Sequence, residues 1–176
     1  GTELLHLLWI APLLLLLFFL ASPRFRGDIA ESRVRRLLAA GLQRNLYTVF
    51  NGLVVPSGGG TTPIDHVVVS KFGIFVIESQ YVRGWISGGE FQEQWKQGLL
   101  WRSARFANPM HRNRVQAEAL QQLLGYPPNV LHRVVVLAGQ KGFKTRLPEN
   151  VLPPEHLLAQ VRKKTRQEVE SLSKSQ

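Results

Sequence analysis

Residues 62–85 read T-P-I-D-H-V-V-V-S-K-F-G-I-F-V-I-E-S-Q-Y-V-R-G-W, and this stretch decides the fold. Two apolar runs, Ile64 to Val69 and Ile74 to Ile77, flank the short segment S-K-F-G. They read as adjacent strands joined by a tight turn. Asp65 stands at the head of the first run, and Glu78 and Gln80 stand at the end of the second. Side chains alternate faces along a strand, so Glu78 and Gln80 point one way and Ser79 the other. A carboxylate from each strand with a polar partner offers oxygen ligands to a divalent metal. Such a metal can activate water and stabilise a phosphoryl transition state.

Upstream, Asp28 to Arg44 has helical spacing, with Ile29, Val34, Leu37, Leu38 and Leu42 as its apolar positions. Asp28 with Glu31 three residues later matches a capping box. Tyr47 to Val55 is strand-like, and Pro56 to Gly60 is a loop without the Lys-Ser/Thr ending of a phosphate loop. Downstream, Gly84-Trp85-Ile86 reads as a short fourth strand ending at Gly88-Gly89, and residues 93–101 fit either strand or irregular structure. Asn108-Pro109 marks a helix start, with Gly125 as its stop. Leu131 to Leu137 is a further buried strand, and Glu155 to Leu172 a final amphipathic helix bearing Arg162-Lys163-Lys164. The expectation is an α/β domain with a mixed sheet.

The amino-terminal stretch Leu4 to Ala21 has no formal charge. At about 18 residues it is near the lower limit for a helix spanning the hydrocarbon core. Glu3 precedes it, and Arg24, Arg26, Arg33, Arg35 and Arg36 follow. That asymmetry places the amino terminus outside and the remainder on the cytoplasmic side of the inner membrane. No positive charge precedes the apolar block, which argues against a secretory leader. The organisation read from the chain is a transmembrane helix at 4–21, a basic juxtamembrane linker at 22–27, a domain at 28–152 and a basic amphipathic helix at 153–176.

The 176 residues allow one domain with a substantial core. The absence of cysteine excludes disulfides, thiolate zinc sites and cysteine nucleophiles. A net charge of +10 suits a polyanion, either nucleic acid or anionic lipid. His111, His132 and His156 show no metal-ligand pairing, and Ser57, Ser70 and Ser79 have no His-Asp constellation.

The run T-x-I-D-H-V-V-V-S-x-F-G-I-F-V-I-E, with Gly84-Trp85-Ile86, resembles the nuclease-related domain family, NERD. Phe106-Ala-Asn-Pro109 with Asn113 resembles that family's F-x-N-P…N motif. Val134-Val-Val, Phe143-Lys-Thr145 and Pro148-x-Asn150-Val151 resemble its last strand and following loop. The resemblance runs from about Phe25 to Val151. It implies a restriction-endonuclease-like fold and a phosphodiesterase centre using Mg²⁺ or Mn²⁺. Glu31 matches the family's helix Glu, Asp65 its Asp, and Glu78 the Glu of its Glu-x-Lys; these three would hold metal. Gln80 stands where the family usually has Lys, and Pro63 where Gln is common. An amide can orient water but supplies no charge; Lys71 and Arg83 are the cations nearest in sequence.

Each of these residues also has a plainer reading. Glu31 completes a capping box, Asp65 caps a turn, Glu78 ends an apolar strand, and Gln80 is solvated at a strand end. His66 faces away from Asp65 and reads as structural, and Asn108 as a helix cap. Trp85, Trp95 and Trp101 either stack on bases or pack. The functions in competition are hydrolysis of DNA or RNA, a nucleic-acid- or protein-binding module that has lost its lysine, and an adaptor whose basic stretch touches anionic lipid.

Overall fold

The computed structural model describes residues 12, 23–99 and 101–174. At the decisive stretch, β2 (Gly60–Ser70) and β3 (Gly73–Ser87) form an antiparallel pair, with His66 opposite Ile77 and Val68 opposite Phe75. The Ser70 hydroxyl closes their turn, accepting from the Phe72 amide and donating to the Gly73 carbonyl. On the far side of β2 lies β1 (Thr48–Ser57), joined to it through Gly58-Gly59. Both glycines have positive φ, as the tight hairpin turn demands. The expected loop at residues 56–60 therefore shrinks to two residues.

β3 is the central strand. Its 15 residues include the expected separate strand at Gly84-Trp85-Ile86. The fourth strand inferred from sequence is therefore a continuation of the third, past a register shift between Tyr81 and Trp85. Gly84 has φ 75°, and a Cβ there would overlap the Gly98 carbonyl. Only glycine allows the two backbones to approach this closely. β4 (Gln94–Leu99) pairs with the end of β3, and β5 (Arg102–Ala107) pairs with β4, which resolves the segment left open as strand or irregular structure.

Among the described residues, three helices cover the sheet. α1 (Pro23–Gly41) and α3 (Leu157–Lys174) pack on one face, where Val34, Leu38, Leu157 and Val161 meet Val68, Phe75 and Ile77. α2 (Pro109–Leu124) packs on the other, where Ala117 and Leu120 meet Val67, Ile74 and Val76. Alternation along β3 thus feeds two cores, as expected of a strand covered on both sides. After α2 the chain enters β6 (Leu131–Phe143), parallel to β3, and then β7 (Val151–Leu152), parallel to β6. The architecture is a mixed α/β sheet flanked by helices.

α1 is already helical at Pro23, so Asp28 lies inside it and the capping-box reading of Asp28 and Glu31 is corrected. Its end falls short of Arg44 because Arg162 donates to the Gly41 carbonyl at 2.7 Å and Leu158 packs against Gly41. Among the described residues, no helix is long and apolar enough to cross a membrane. Apart from Pro12, the Leu4–Ala21 segment read as a membrane span lies outside the described residues.

Candidate functional site

The sheet opens where β2 leaves β3. Pairing between them ends at His66 and Ile77, and β4 joins β3 only from Trp85 onward. Between these points one edge of β3 needs other partners for its backbone. Asp65 supplies one, its Oδ2 accepting from the Ser79 amide at 2.8 Å and the Ser79 hydroxyl at 2.9 Å. Gln97 supplies another, its Oε1 accepting from the Arg83 amide at 2.9 Å.

β2 also departs from strict alternation here. Ile64 and Val67 both enter the core beneath α2, although three residues apart they should face opposite sides. The β1–β2 register runs on either side of Gly52 and Asp65 without pairing them. Asp65 is thus displaced towards the β3 edge, where it meets a residue expected on the opposite face from Glu78.

Glu78 is only 2 % exposed. Its Oε2 accepts from Gln116 Nε2 at 2.6 Å, and its Oε1 lies 3.3 Å from Arg112 Nη1. Burial pushes its pKa up from 4.5 to about 7, and the Asp65 charge pushes in the same direction. Arg112 and the Gln116 hydrogen bond pull the other way. Burial and a like-charged neighbour both disfavour the ionised form. Two carboxylates from adjacent strands are thus held within electrostatic reach of each other.

The start of α2 delivers these partners. Asn108 is the helix cap expected from sequence, accepting from the Met110 amide at 3.0 Å. Its amide nitrogen donates to the Glu90 and Gln92 carbonyls at 2.9 and 2.8 Å, tying the β3–β4 connection to the helix. Asn113 is buried and donates to the Val76 carbonyl at 3.0 Å, fixing the rotation of α2 over β3. Arg112 and Gln116, four residues apart, then lie one above the other on the same helix face. An open cleft of about 380 Å³ forms here, lined by Glu78, Gln80, Asn108 and Arg112 among others. The Arg112 side chain is 57 % exposed at its rim.

Gln80 lies on this cleft, as Gly27 of α1 does. Glu31 follows Gly27 by one helical turn, but its carboxylate is taken by Arg35 at 2.8 Å. Among the described residues, no group of three or more acidic or histidine side chains is placed to hold a metal ion. Asp65 and Glu78 therefore come together, while Glu31 remains in its own ion pair at the edge.

Neither cation considered from sequence reaches the acid pair. Lys71 lies over the Phe72 ring in the β2–β3 turn, and Arg83 lies towards the Tyr81 ring. Arg112 and Gln116 belong to the site as well, although neither stands out in the sequence. Their only signal was spacing, since they follow the Asn-Pro helix start by three and seven residues from Pro109.

His66 is fully buried, with Nδ1 2.7 Å from Asn51 Oδ1, in keeping with a structural role. Burial lowers its pKa to about 4 against the pull of Asp65, and Arg35 lowers it further. Trp95 is also buried, its indole donating to the Gly89 carbonyl, whereas Trp101 is 89 % exposed.

Comparison with known proteins adds three findings. Residues 26–138 match the family model described as nuclease-related domain. An uncharacterized protein of Bacillus anthracis is 34 % identical over 102 residues, covering 58 % of this chain and 48 % of that protein. The matched region thus spans about half the length of this curated relative. No solved structure matches.

Proposed function

The chain belongs to the nuclease-related domain family, and from that premise we propose that it hydrolyses phosphodiester bonds of DNA or RNA with the help of a divalent cation. The observation that carries this reading is the acid pair. Asp65 and Glu78, from adjacent strands, are close enough for one charge to raise the pKa of the other, beside a cleft with an arginine at its rim. We further read the mixed sheet as restriction-endonuclease-like.

The donor set fits Mg²⁺ or Mn²⁺. Magnesium is commonly held by one or two carboxylates, with waters and substrate phosphates completing its shell. Asp65 and Glu78 would be those carboxylates, and Glu31 would join them only by leaving Arg35. When bound, the cation would neutralise phosphate charge and lower the pKa of water.

The chain's own residues prepare the site. Ser79 fixes Asp65, and Gln116 and Arg112 fix Glu78, so neither carboxylate has to be ordered when substrate arrives. The Gln80 amide faces the cleft and orients water without supplying charge. Arg112 provides the positive charge that Gln80 lacks, since its guanidinium remains ionised and offers several donors to a phosphate.

Labelled single- and double-stranded DNA and RNA, incubated with the full chain and manganese, test this reading. Cleavage is expected, and it should disappear in Asp65→Ala and in Glu78→Ala. Cleavage retained in both variants removes the assignment.

One observation favours a second reading. Both Glu78 oxygens already have protein partners, and Glu31 is paired, so the acids are satisfied without a cation. A domain that binds nucleic acid or a protein without cutting fits that arrangement. Salt-sensitive binding with no turnover at any metal concentration would select it, and Gln80→Lys would then report whether the rest of the site is intact.

We also propose that Leu4–Ala21 anchors the protein in the inner membrane, with the domain on the cytoplasmic side. The charge asymmetry around that segment supports this. The full chain should fractionate with membranes, and deletion of residues 4–21 should release it.

A further inference from the structure

We propose that the outer face of the β4–β5 hairpin is a second nucleic-acid contact, where Lys96 and Arg105 together hold a backbone phosphate; this rests on the reading above that the partner is nucleic acid. In the antiparallel pair, Lys96 stands directly opposite Arg105 and Gln94 opposite Ala107. Residues opposite one another share a face. The other face is anchored inward by Trp95 and Phe106, whose rings meet edge-on at 6.2 Å. Lys96 and Arg105 are therefore directed outward, and both are exposed.

Two like charges directly across a strand pair destabilise a sheet. Neither cation has an ion-pair partner among the described residues, where the recorded pairs involve Arg33, Arg35, Arg112 and Arg114. Among the described residues no acid pairs with either cation, and a bound anion would offset the repulsion. The two side chains line a cleft of about 370 Å³ with Gln92, Gln94 and Thr145. Its walls are amide and hydroxyl groups, the chemistry that positions a phosphodiester backbone without reading bases.

The location matters as much as the charge. Gln94 lines this cleft and its cross-strand partner Ala107 lines the cleft of Glu78 and Arg112, so the two adjoin. From Ala107 to Arg105 is two residues of strand, about 7 Å. That is close to the through-space separation of neighbouring phosphates along one nucleic-acid strand. A nucleic-acid strand with one phosphate against Arg112 would present a neighbouring phosphate to the Lys96–Arg105 pair.

Fluorescence anisotropy of a short fluorescein-labelled single-stranded DNA tests this. The full chain would be held in detergent with EDTA, so that binding is read apart from cleavage. Lys96→Gln/Arg105→Gln should weaken binding roughly tenfold or more, as expected for two charge-assisted contacts. It should also reduce the slope of log affinity against log salt by about 0.7, for the one phosphate that the pair holds. Its melting temperature should be unchanged or higher, because a repulsion is removed.

Lys163→Gln/Lys164→Gln takes the same charge from α3 and should have a much smaller effect. Equal losses from the two double variants would overturn the proposal, as would a hairpin variant that binds like wild type. It also falls if the wild type has no affinity for the oligonucleotide, or if the hairpin variant loses binding only to phosphatidylserine vesicles. Cleavage is measured separately with manganese. A wild type that binds through this pair yet never cuts leaves the proposal standing and removes the hydrolytic reading alone.

Discussion

Gln116 donates its side-chain amide to Glu78 Oε2 at 2.6 Å, across 38 residues of chain. The same nitrogen lies 3.1 Å from the Pro63 carbonyl. One amide on α2 thus ties together the first part of the Asp65 strand and the middle of the Glu78 strand. The hydrogen bond favours the ionised carboxylate and partly opposes the effect of burial. Replacing Gln116 with Leu should raise the Glu78 pKa above about 7. It should also cost roughly 1–3 kcal/mol of stability, because buried acceptors lose their donor. Carboxyl NMR titration and denaturant unfolding measure the two effects. An unmoved Glu78 titration would show that Gln116 does not act on the acid.

Glu78→Gln should separate stability from activity. The folded carboxyl titrates at about 7 against an ordinary 4.5, so between these values the folded protein binds more protons than the unfolded chain. Stability from this group is present below pH 4.5 and declines as pH rises through 7. The variant should therefore be more stable than wild type above pH 7, by up to about 3 kcal/mol at about 1.36 kcal/mol per pKa unit. The difference should vanish towards pH 4.5. Any metal-dependent cleavage should be lost throughout. Thermal unfolding across pH, run beside the cleavage assay, checks both.

His66 contributes a slope of the opposite sign. Its folded pKa is about 4 against an ordinary 6.5, so the unfolded chain binds the extra proton. Stability from a neutral His66 is present above pH 6.5 and lost as pH falls towards 4. The two slopes oppose one another between pH 4.5 and 6.5, which should make the wild-type profile shallow there. His66→Gln should leave the Glu78 slope unmasked, with stability falling as pH rises across that window. A His66→Gln profile parallel to wild type would contradict the assignment.

Gly84→Ala should be among the most damaging small substitutions. The position has φ 75° and the new methyl would overlap the Gly98 carbonyl. Left-handed strain and overpacking together should cost roughly 2–4 kcal/mol. Because Gly84 is where β3 and β4 cross closely, the hairpin carrying Lys96 and Arg105 should lose protection first. Amide hydrogen exchange in residues 94–107 reads that directly.

Much of this architecture is local information. The alternation of Phe75 and Ile77 with Ile74 and Val76 marks a strand buried on both faces, and Asn108-Pro109 with Gly125 brackets α2 to the residue. Such signals survive because period and capping act between near neighbours. The extent of α1 is not legible in the sequence because Asp28 and Glu31 imitate a cap whose geometry the continuous helix does not adopt. The continuity of β3 through Gly84 is hidden in the sequence because a glycine inside an apolar pattern looks the same at a bulge as at a strand end.

The chain's own order of residues determined that Asp65 and Glu78 would lie near each other, because a short turn leaves adjacent strands little choice of pairing. What surrounds that pair was decided by long-range packing alone. The seating of α2 on β3, through Asn113 and Val76, chose Arg112 and Gln116 as the partners of Glu78. The extent of α1 left Glu31 with Arg35. A crossover helix can meet a sheet in many rotations with the same apolar stripe, and only the contacts of the assembled core select one.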